Sequence, residues 1–264
     1  MRISNGAVFE VDRGFLFRDL CTNGAVIAEQ SGDARVLDAS GCYVIPGLID
    51  LHFHGCKGED FSDATPEGLA KMAEYELSQG VTYLCPAGMT LPEAQLLRIC
   101  ENVAYYQRTA VTGAELVGVN LEGPFLSAEK KGAQNGAYLR EPDLKLLDRL
   151  RTAAGELVKL VTVAPELPGA VEFIRKAAQS GITVSVGHTA ADYAAAQQAF
   201  FAGARQVTHL FNAMAPFSHR APGVVGAAFD HPEVRVELIC DGVHIHESVV
   251  RSVFRLYGPE RVIL

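Results

Sequence analysis

Residues 46–55 read Pro-Gly-Leu-Ile-Asp-Leu-His-Phe-His-Gly, and the rest of the chain is arranged around this stretch. Apolar residues lead into a His-x-His pair, and a glycine then ends the run. Because residues i and i+2 of a β-strand point to the same side, His52 and His54 are predicted to project together from a buried strand end. Two converging imidazoles can begin a divalent-metal site, or they can be two hydrogen-bonded histidines. This stretch alone does not decide between them.

From Cys42 onward, apolar runs alternate with segments of helical spacing. The runs are rich in Val and Ile, as expected for parallel strands that are covered on both faces. The predicted strands are 43–51, 81–85, 116–121, 158–163, 182–186, 206–210, 234–240 and 261–264. Helical stripes include Leu69, Met72 and Ala73 after a Thr65-Pro66 start, and glycines 80, 181 and 203 follow helical runs.

Eight strands joined by helices in this length predict an α/β fold, a (β/α)₈ TIM-type barrel. The first 43 residues differ, because their short segments are broken by Asn, Gly, Asp and Ser. We therefore predict a small β-domain over residues 1–43 and a barrel over 44–264. A doubly wound open sheet is the alternative, but no dinucleotide-binding or P-loop glycine motif follows any strand.

Composition and charge exclude several classes of function. The 264 residues are 48% hydrophobic and carry a formal net charge of −8, which argues against nucleic acid or an anionic membrane as the main partner. The sequence has neither an apolar stretch of membrane-spanning length nor a signal-peptide pattern. The six cysteines are scattered, and we expect reduced thiols in a cytoplasmic protein.

Polar residues collect where active sites of (β/α)₈ barrels lie, at the C-terminal ends of the strands. Five of the eight histidines and two acids fall there. They are His52, His54, Glu122, His188, His209, Asp241 and His244. A glutamate with two histidines is a common ligand set that leaves one metal position open.

Each ligand candidate also has an ordinary structural explanation. Glu122 could be an acid at a helix start, His188 a helix-cap partner, and His209 a hydrogen-bonded core histidine. One ion explains all three at once. The combined pattern therefore predicts a divalent-metal site.

Several motifs together resemble the N-acetylglucosamine-6-phosphate deacetylase family of the amidohydrolase superfamily. They are the stretch 46–55, Leu-Glu-Gly-Pro-Phe at 121–125, Lys-Lys-Gly-Ala-Gln-Asn at 130–135, Gly-His-Thr at 187–189, Thr-His-Leu-Phe-Asn-Ala-Met at 208–214, Arg-Ala-Pro-Gly at 220–223 and Asp-Gly-Val-His at 241–244. The resemblance extends from the N-terminal β-segment to the last residue. It implies metal-dependent hydrolysis of N-acetylglucosamine 6-phosphate to glucosamine 6-phosphate and acetate.

The resemblance assigns the principal metal to Glu122, His188 and His209. It allows a second ion at His52 and His54, bridged through Glu122, although this first-strand pair varies within the family. Zn²⁺ is the first expectation, with Fe²⁺ and Mn²⁺ as alternatives.

The family's substrate contacts map to a larger set. They are Ala133, Gln134, Asn212, Ala213, Arg220, Asp241, Gly242, Val243 and His244. Some relatives carry a histidine at the position of Gln134, so a role of imidazole there does not transfer. Arg220 suits a phosphate, and in the family this arginine reaches the site of a neighbouring subunit, which implies a homodimer. Its alternative is an ordinary solvated loop arginine.

In the family an aspartate after the eighth strand moves the proton during hydrolysis. The present sequence ends at Leu264, just before that position, so no catalytic residue is assigned within it. Asp241 belongs to the seventh-strand motif and is not expected to substitute. We therefore expect a truncated deacetylase that lacks the last barrel helix and the C-terminal part of the β-domain.

Two alternatives remain. One is another amidohydrolase, such as a cyclic-amide hydrolase or a deaminase, many of which carry a carboxylated lysine at the end of strand four. Here residues 163–166 read Val-Ala-Pro-Glu and Lys159 lies near the start of that strand, which favours the deacetylase. The other is a catalytically silent fragment that binds metal or sugar phosphate.

Overall fold

The computed structural model describes residues 1–110 and 112–264. The chain divides into two compact units, Met1–Leu48 and Ile49–Leu264. The first unit contains β1 (Arg2–Ser4), β2 (Ala7–Glu10), β3 (Gly14–Phe17), β4 (Leu20–Asn23), β5 (Val26–Ala28), β6 (Val36–Asp38) and β7 (Tyr43–Val44). Its two sheets have the strand orders β5-β4-β1-β6 and β3-β2-β7. This unit continues past residue 43 because β7 pairs in parallel with β2.

The barrel elements follow in chain order. They are β8 (Leu48–Asp50), β9 (Gly55–Cys56), β10 (Glu59–Asp60), α1 (Pro66–Ser78), β11 (Val81–Leu84), β12 (Ala87–Gly88), α2 (Glu93–Thr109), β13 (Glu115–Leu116), β14 (Val119–Leu121), α3 (Leu144–Ala153), β15 (Val158–Val163), α4 (Ala170–Gln179), β16 (Thr183–Val186), α5 (Tyr193–Ala202), β17 (Gln206–Val207), α6 (Gly223–Phe229), β18 (Arg235–Glu237), α7 (Glu247–Tyr257) and β19 (Val262–Ile263). Short 3₁₀ helices lie at Phe61–Asp63, Gly136–Tyr138 and Pro259–Arg261.

The barrel strands lie side by side in the order in which the chain makes them. One sheet has the order β13-β11-β8, and the other has β12-β14-β15-β16-β17-β18-β19. From β14 to β19 every neighbouring pair is parallel. Helices alternate with these strands, and the predicted (β/α)₈ TIM-type class is confirmed.

Several strands are shorter than predicted, and the causes are local. The predicted strand 43–51 is two strands, β7 and β8, with Pro46 between them, which has no N–H to donate to a ladder. The strand predicted at 206–210 ends at Val207. His209, Phe211 and Ala213 have φ values of 31°, 76° and 51°, which an extended strand cannot contain. The strand predicted at 234–240 is likewise only Arg235–Glu237.

The helix starts and stops follow the predicted chemistry. Thr65 caps α1 by accepting a hydrogen bond from the Gly68 N–H at 3.2 Å, and Pro66 occupies the first helical turn. Gly80, Gly181 and Gly203 all have positive φ, as helix-terminating glycines do.

A continuous apolar core lies between the helices and the barrel sheet. Phe125 and Phe173 are buried in it with ring centroids 4.8 Å apart. This core holds the strand ends in fixed positions, and those ends carry the polar residues described next. In the part of the chain that the structure describes, each helix is too short or too polar to cross a membrane.

Candidate metal centre

The C-terminal ends of the barrel strands surround a cavity of about 700 Å³. Residues that follow β8, β14, β16, β17 and β18 line it. Another cavity, of about 870 Å³, lies within the first unit. The groups of potential metal ligands among the described residues lie in the barrel cavity, which is therefore the candidate functional site.

Three side chains form a compact donor triangle in this cavity. Glu122 Oε1 lies 3.1 Å from His188 Nε2 and 3.1 Å from His209 Nε2. The two Nε2 atoms are also 3.1 Å apart. In a tetrahedral zinc site, ligand atoms bound at ordinary lengths lie about 3.3 Å from one another. The residues present therefore fit a divalent ion.

The first-strand histidines reach the same carboxylate. His52 Nε2 lies 3.3 Å from Glu122 Oε1, and His54 Nε2 lies 3.1 Å from Glu122 Oε2. The segment that carries both histidines lies just beyond the end of β8 rather than within a strand. Both rings nevertheless point to one place, and Glu122 belongs to both candidate ligand groups.

Hydrogen bonds on the opposite ring nitrogens orient the imidazoles. Nδ1 of His188 donates to the Lys130 carbonyl at 3.0 Å, and Nδ1 of His209 donates to the Asn212 carbonyl at 3.1 Å. Nδ1 of His54 likewise donates to a backbone carbonyl at 3.0 Å. A carbonyl accepts only from a protonated nitrogen, so Nε2 of each ring keeps a lone pair for an ion.

The electrostatics favour positive charge at this place. Burial alone raises the pKa of the Glu122 carboxyl, but the four surrounding imidazoles hold that pKa well below its usual range. Burial alone lowers the pKa of His52, whereas its hydrogen bonds to Glu122 and Glu237 raise it to about 10. In the metal-free cluster the proton on His52 supplies part of the positive charge that a divalent ion would bring.

Two of the ligand candidates have an unusual backbone. His188 has a φ of 47° and His209 a φ of 31°, in the left-handed region that bulky residues rarely adopt. Such residues cost about 1–3 kcal/mol each and cluster at functional sites. The barrel thus holds both rings in the cavity at the expense of local backbone strain.

Gly187 allows His188 to take its position. A Cβ on Gly187 would lie 2.7 Å from Thr208 Cβ and 2.9 Å from Thr162 Cγ2, both in the buried barrel interior. Contacts that short force the backbone to move. The glycine of the Gly-His-Thr motif is therefore required by packing.

We expect Gly187→Ala to lower the free energy of unfolding by about 1–3 kcal/mol, because overpacking displaces the strand end. It should also weaken zinc binding, because His188 moves with that backbone. Gly88→Ala is the matched control, since a Cβ there meets its nearest atom at an ordinary 3.6 Å. Denaturant unfolding and zinc titration measure both effects. Equal zinc affinity in Gly187→Ala and the parent would contradict this account.

Gln134 has a contact that the sequence did not predict. Its Oε1 accepts a hydrogen bond from the Thr90 N–H at 2.7 Å, which leaves Nε2 to donate to Glu122 Oε2 at 2.6 Å. The side chain is almost completely buried. Gln134 lines the cavity and fixes the orientation of the shared carboxylate. Its assignment as a substrate contact stays a prediction.

The other predicted substrate residues divide into two sets. Ala133, Asn212, Ala213, Asp241 and His244 line the cavity. Gly242, Val243 and Arg220 are exposed and do not line the cavity of their own chain. The substrate assignments of both sets stay predictions.

Asp241 and His244 form one hydrogen-bonded unit. Asp241 Oδ1 accepts from the N–H groups of Val243 and His244 at 2.8 and 2.9 Å, and Oδ2 accepts from His244 Nδ1 at 2.7 Å. The backbone N–H of His244 is the largest cause that lowers the pKa of Asp241 to about 2. Asp241 therefore orients His244.

The end of strand four carries no lysine near the cluster. Lys159 Nζ donates to the Glu156 carbonyl at 3.2 Å and lies near the start of β15. Glu166, beyond the end of β15, accepts from the Ala190 N–H at 2.6 Å. A bridging carboxylated lysine from this strand is thus excluded. The carboxylate shared by both ligand groups is that of Glu122.

Sequence reasoning also missed Glu237, which contacts His52 from β18. The signal in the sequence is an acid inside the apolar run Val-Arg-Val-Glu-Leu-Ile at 234–239. A buried charge of this kind needs a partner. The sequence does not say which partner it has.

The pattern of the Amidohydrolase family matches residues 43–261, most of the chain. The fold, the first-strand His-x-His and the glutamate with two histidines agree with that match. The chain belongs to the amidohydrolase family.

Within that family the chain is similar to N-acetylglucosamine-6-phosphate deacetylases. It is 38% identical to the enzyme of that name from Bacillus subtilis over 224 residues, which cover 84% of this chain and 57% of the relative. The relative from Lysinibacillus sphaericus is 36% identical over 228 residues, 86% of this chain and 59% of that protein. The chain thus spans less than three fifths of the length of these curated relatives.

Solved structures of such deacetylases have the same fold. The enzyme from Mycobacterium smegmatis superposes with a TM-score of 0.90 at 32% identity, covering 99% of this chain and 69% of that one. A variant of the same enzyme, solved in complex with N-acetyl-D-glucosamine-6-phosphate, gives a TM-score of 0.87.

Proposed function

We propose that this chain forms the metal- and substrate-binding barrel of a metal-dependent deacetylase. The proposed reaction hydrolyses the acetamide of N-acetylglucosamine 6-phosphate to glucosamine 6-phosphate and acetate. The observation that carries the proposal is the convergence of four imidazole Nε2 atoms on the Glu122 carboxylate inside one cavity. Similarity to deacetylases, one of them solved with this sugar phosphate, supports the substrate.

Glu122, His188 and His209 would hold the principal ion, and His52 and His54 a second one. A divalent ion at such a site lowers the pKa of water and polarises an amide carbonyl. Zn²⁺ is the first expectation, with Fe²⁺ and Mn²⁺ as alternatives for this set of nitrogen and oxygen donors. Gln134 keeps Glu122 in the orientation that serves both positions.

The same cavity would hold the sugar. Ala133, Asn212, Ala213 and His244 line it together with the metal candidates. The hydrogen bond that His244 Nδ1 donates to Asp241 fixes the direction of that imidazole before substrate arrives. Each of these groups would orient the acetamide relative to Glu122.

Arg220 is proposed to bind the phosphate of substrate in a neighbouring subunit, in a homodimer. It is exposed and does not line the cavity of its own chain, which supports a role elsewhere. A guanidinium stays charged and can donate two parallel hydrogen bonds to a phosphate. A cytoplasmic setting is proposed on the six free cysteine thiols, of which two are buried, two half-buried and two exposed.

The proton-transferring aspartate is expected to follow β19, as the family resemblance implies. Asp241 is a poor substitute, because both its oxygens accept hydrogen bonds and its pKa is lowered to about 2. A carboxylate with so low a pKa takes a proton from water weakly. This supports the second candidate, in which residues 1–264 alone bind metal and sugar phosphate without turnover.

We expect a form of the protein that extends past Leu264 to release acetate from N-acetylglucosamine 6-phosphate. Chelation should abolish the release and added Zn²⁺ should restore it. N-Acetylglucosamine without phosphate is the matched substrate control and should react more slowly. Acetate release that survives complete metal removal would overturn the proposal.

The same assay is repeated with residues 1–264 alone. We expect it to bind the sugar phosphate in the presence of Zn²⁺ with little turnover. Turnover at the rate of the extended protein would show that the eighth-strand aspartate is dispensable.

A further inference from the structure

Glu237 is a carboxylate inside the barrel that the proposed reaction does not use. It lies at the end of β18 with only 6% of its surface exposed. Burying an acid costs free energy unless hydrogen bonds or charges compensate it. Its contacts should therefore indicate what it does.

Those contacts join two of the metal-ligand candidates. Glu237 Oε2 accepts from His52 Nδ1 at 2.8 Å and from the backbone N–H of His209 at 3.3 Å. Its Oε1 accepts from Nε2 of buried Gln206. Both oxygens are thus occupied by donors, and the carboxylate cannot turn away from His52.

The hydrogen bond selects one tautomer of His52. The other three clustered imidazoles donate from Nδ1 to backbone carbonyls, whereas His52 alone among them donates to a carboxylate. With the proton on Nδ1, the neutral ring directs its Nε2 lone pair to the side that faces Glu122, 3.3 Å away, where an ion would replace the second ring proton.

The charge balance of the two candidate metal positions also indicates a role for Glu237. Two divalent ions carry four positive charges, whereas the two ligand groups contain one carboxylate, that of Glu122. Glu237 supplies a second negative charge directly behind a ligand of the second position. In a buried site such a charge stabilises a cation more than it would in water.

We propose that Glu237 is a positioning residue for the second metal position. It acts through His52, by holding the Nδ1 proton and by adding negative charge behind the ring. The inference rests on the proposed two-ion site and deepens it.

Glu237→Gln gives a specific expectation. The carboxylate accepts from three donors, Gln206 Nε2, His52 Nδ1 and the His209 N–H, whereas the amide offers one oxygen and no charge. The Nδ1 proton of His52 thus loses its charged acceptor, and the tautomer protonated on Nε2, which blocks an ion, gains population. The variant has nearly the same shape as the parent, so the effect is one of tautomer and charge.

The test is a Zn²⁺ titration of the metal-free chain by equilibrium dialysis. We expect the parent to bind two ions, and Glu237→Gln to bind the second one about 10- to 100-fold more weakly with the first unchanged. Glu76→Gln is the matched control, because Glu76 is a buried carboxylate whose side chain pairs with Cys56 and which belongs to neither ligand group. It should bind both ions as the parent does.

Nitrogen-15 NMR of the zinc-loaded parent reports the protonation of His52 directly. A purely structural role of Glu237 would leave this signal unchanged. We expect the parent to show a protonated Nδ1 for His52, a signal identified by its loss in His52→Gln. The protonated fraction of that nitrogen should be smaller in Glu237→Gln. The melting temperature in chelator should be similar for the parent and Glu237→Gln.

The outcomes separate the two proposals. Two ions bound by the parent with equal affinity in Glu237→Gln would overturn the role of Glu237 alone. A parent that binds one ion would overturn the second position and the role of Glu237 together, and it would leave the principal site standing. If Glu237→Gln does not fold, an unprotonated Nδ1 in the zinc-loaded parent overturns the inference.

Discussion

Glu122→Gln is expected to abolish zinc binding at both candidate positions, the largest effect of any single substitution in this chain. Its carboxylate is common to the two ligand groups, and the Nε2 atoms of four histidines lie within 3.3 Å of it. An amide of the same shape removes the charge and offers one weak oxygen donor in place of two. Outer-shell changes cost about 10- to 100-fold in metal affinity, and loss of a shared direct ligand should exceed that.

Metal content per chain after dialysis against Zn²⁺ measures this effect. Glu76→Gln serves again as the control for loss of a buried carboxylate away from the cluster. Circular dichroism in chelator establishes that both variants are folded. A folded Glu122→Gln chain that retains both ions at the parent's affinity would mean that Glu122 is not a ligand.

The two histidine pairs should give different results when each is replaced by glutamine. His188→Gln with His209→Gln removes two of the three ligand candidates of the principal ion and leaves only Glu122, so that ion should be lost. His52→Gln with His54→Gln should remove only the second ion, because the triangle of donors 3.1 Å apart remains complete. Each direct ligand pair should cost more than about 100-fold in affinity for its own ion.

His231→Gln is the matched control for these pairs. His231 is buried, but its Nδ1 pairs with Glu233 at 3.1 Å, and it belongs to neither ligand group. Its replacement should leave both ions bound. Loss of both ions from the chain without His52 and His54 would contradict the division into a principal and a second position.

The fold was predictable because the signals are local and repeated. Apolar runs, helical stripes and terminating glycines such as Gly80 and Gly181 are read directly from the sequence. Strand order follows from alternation, since parallel strands need a crossover connection. The ligand candidates were predictable as well, because parallel strands bring their C-terminal ends to one rim.

Strand lengths and outer contacts were not predictable to the same degree. The end of β17 depends on the left-handed backbone of His209, which bulky residues adopt only when the surrounding fold enforces it. Glu237 contacts the cluster through His52, 185 residues away in the sequence, and the amide of Gln134 is oriented by the N–H of Thr90, 44 residues away. No spacing rule connects such distant residues, so these contacts required the structure.

The prediction for Arg220 has a different status. Its proposed partner is a phosphate bound to another copy of the chain, and the exposed side chain is free of the cavity of its own chain. The oligomeric state in solution decides whether a neighbouring subunit is there to receive it.

The central claim is that this chain holds a divalent ion on Glu122, His188 and His209, and anomalous diffraction from zinc-loaded crystals tests it most directly. We predict the strongest anomalous peak at bonding distance from Glu122 Oε1 and the two Nε2 atoms, which now form a triangle with 3.1 Å sides. A weaker peak is expected beside His52 and His54. A fully zinc-loaded crystal with no peak inside that triangle would contradict the account.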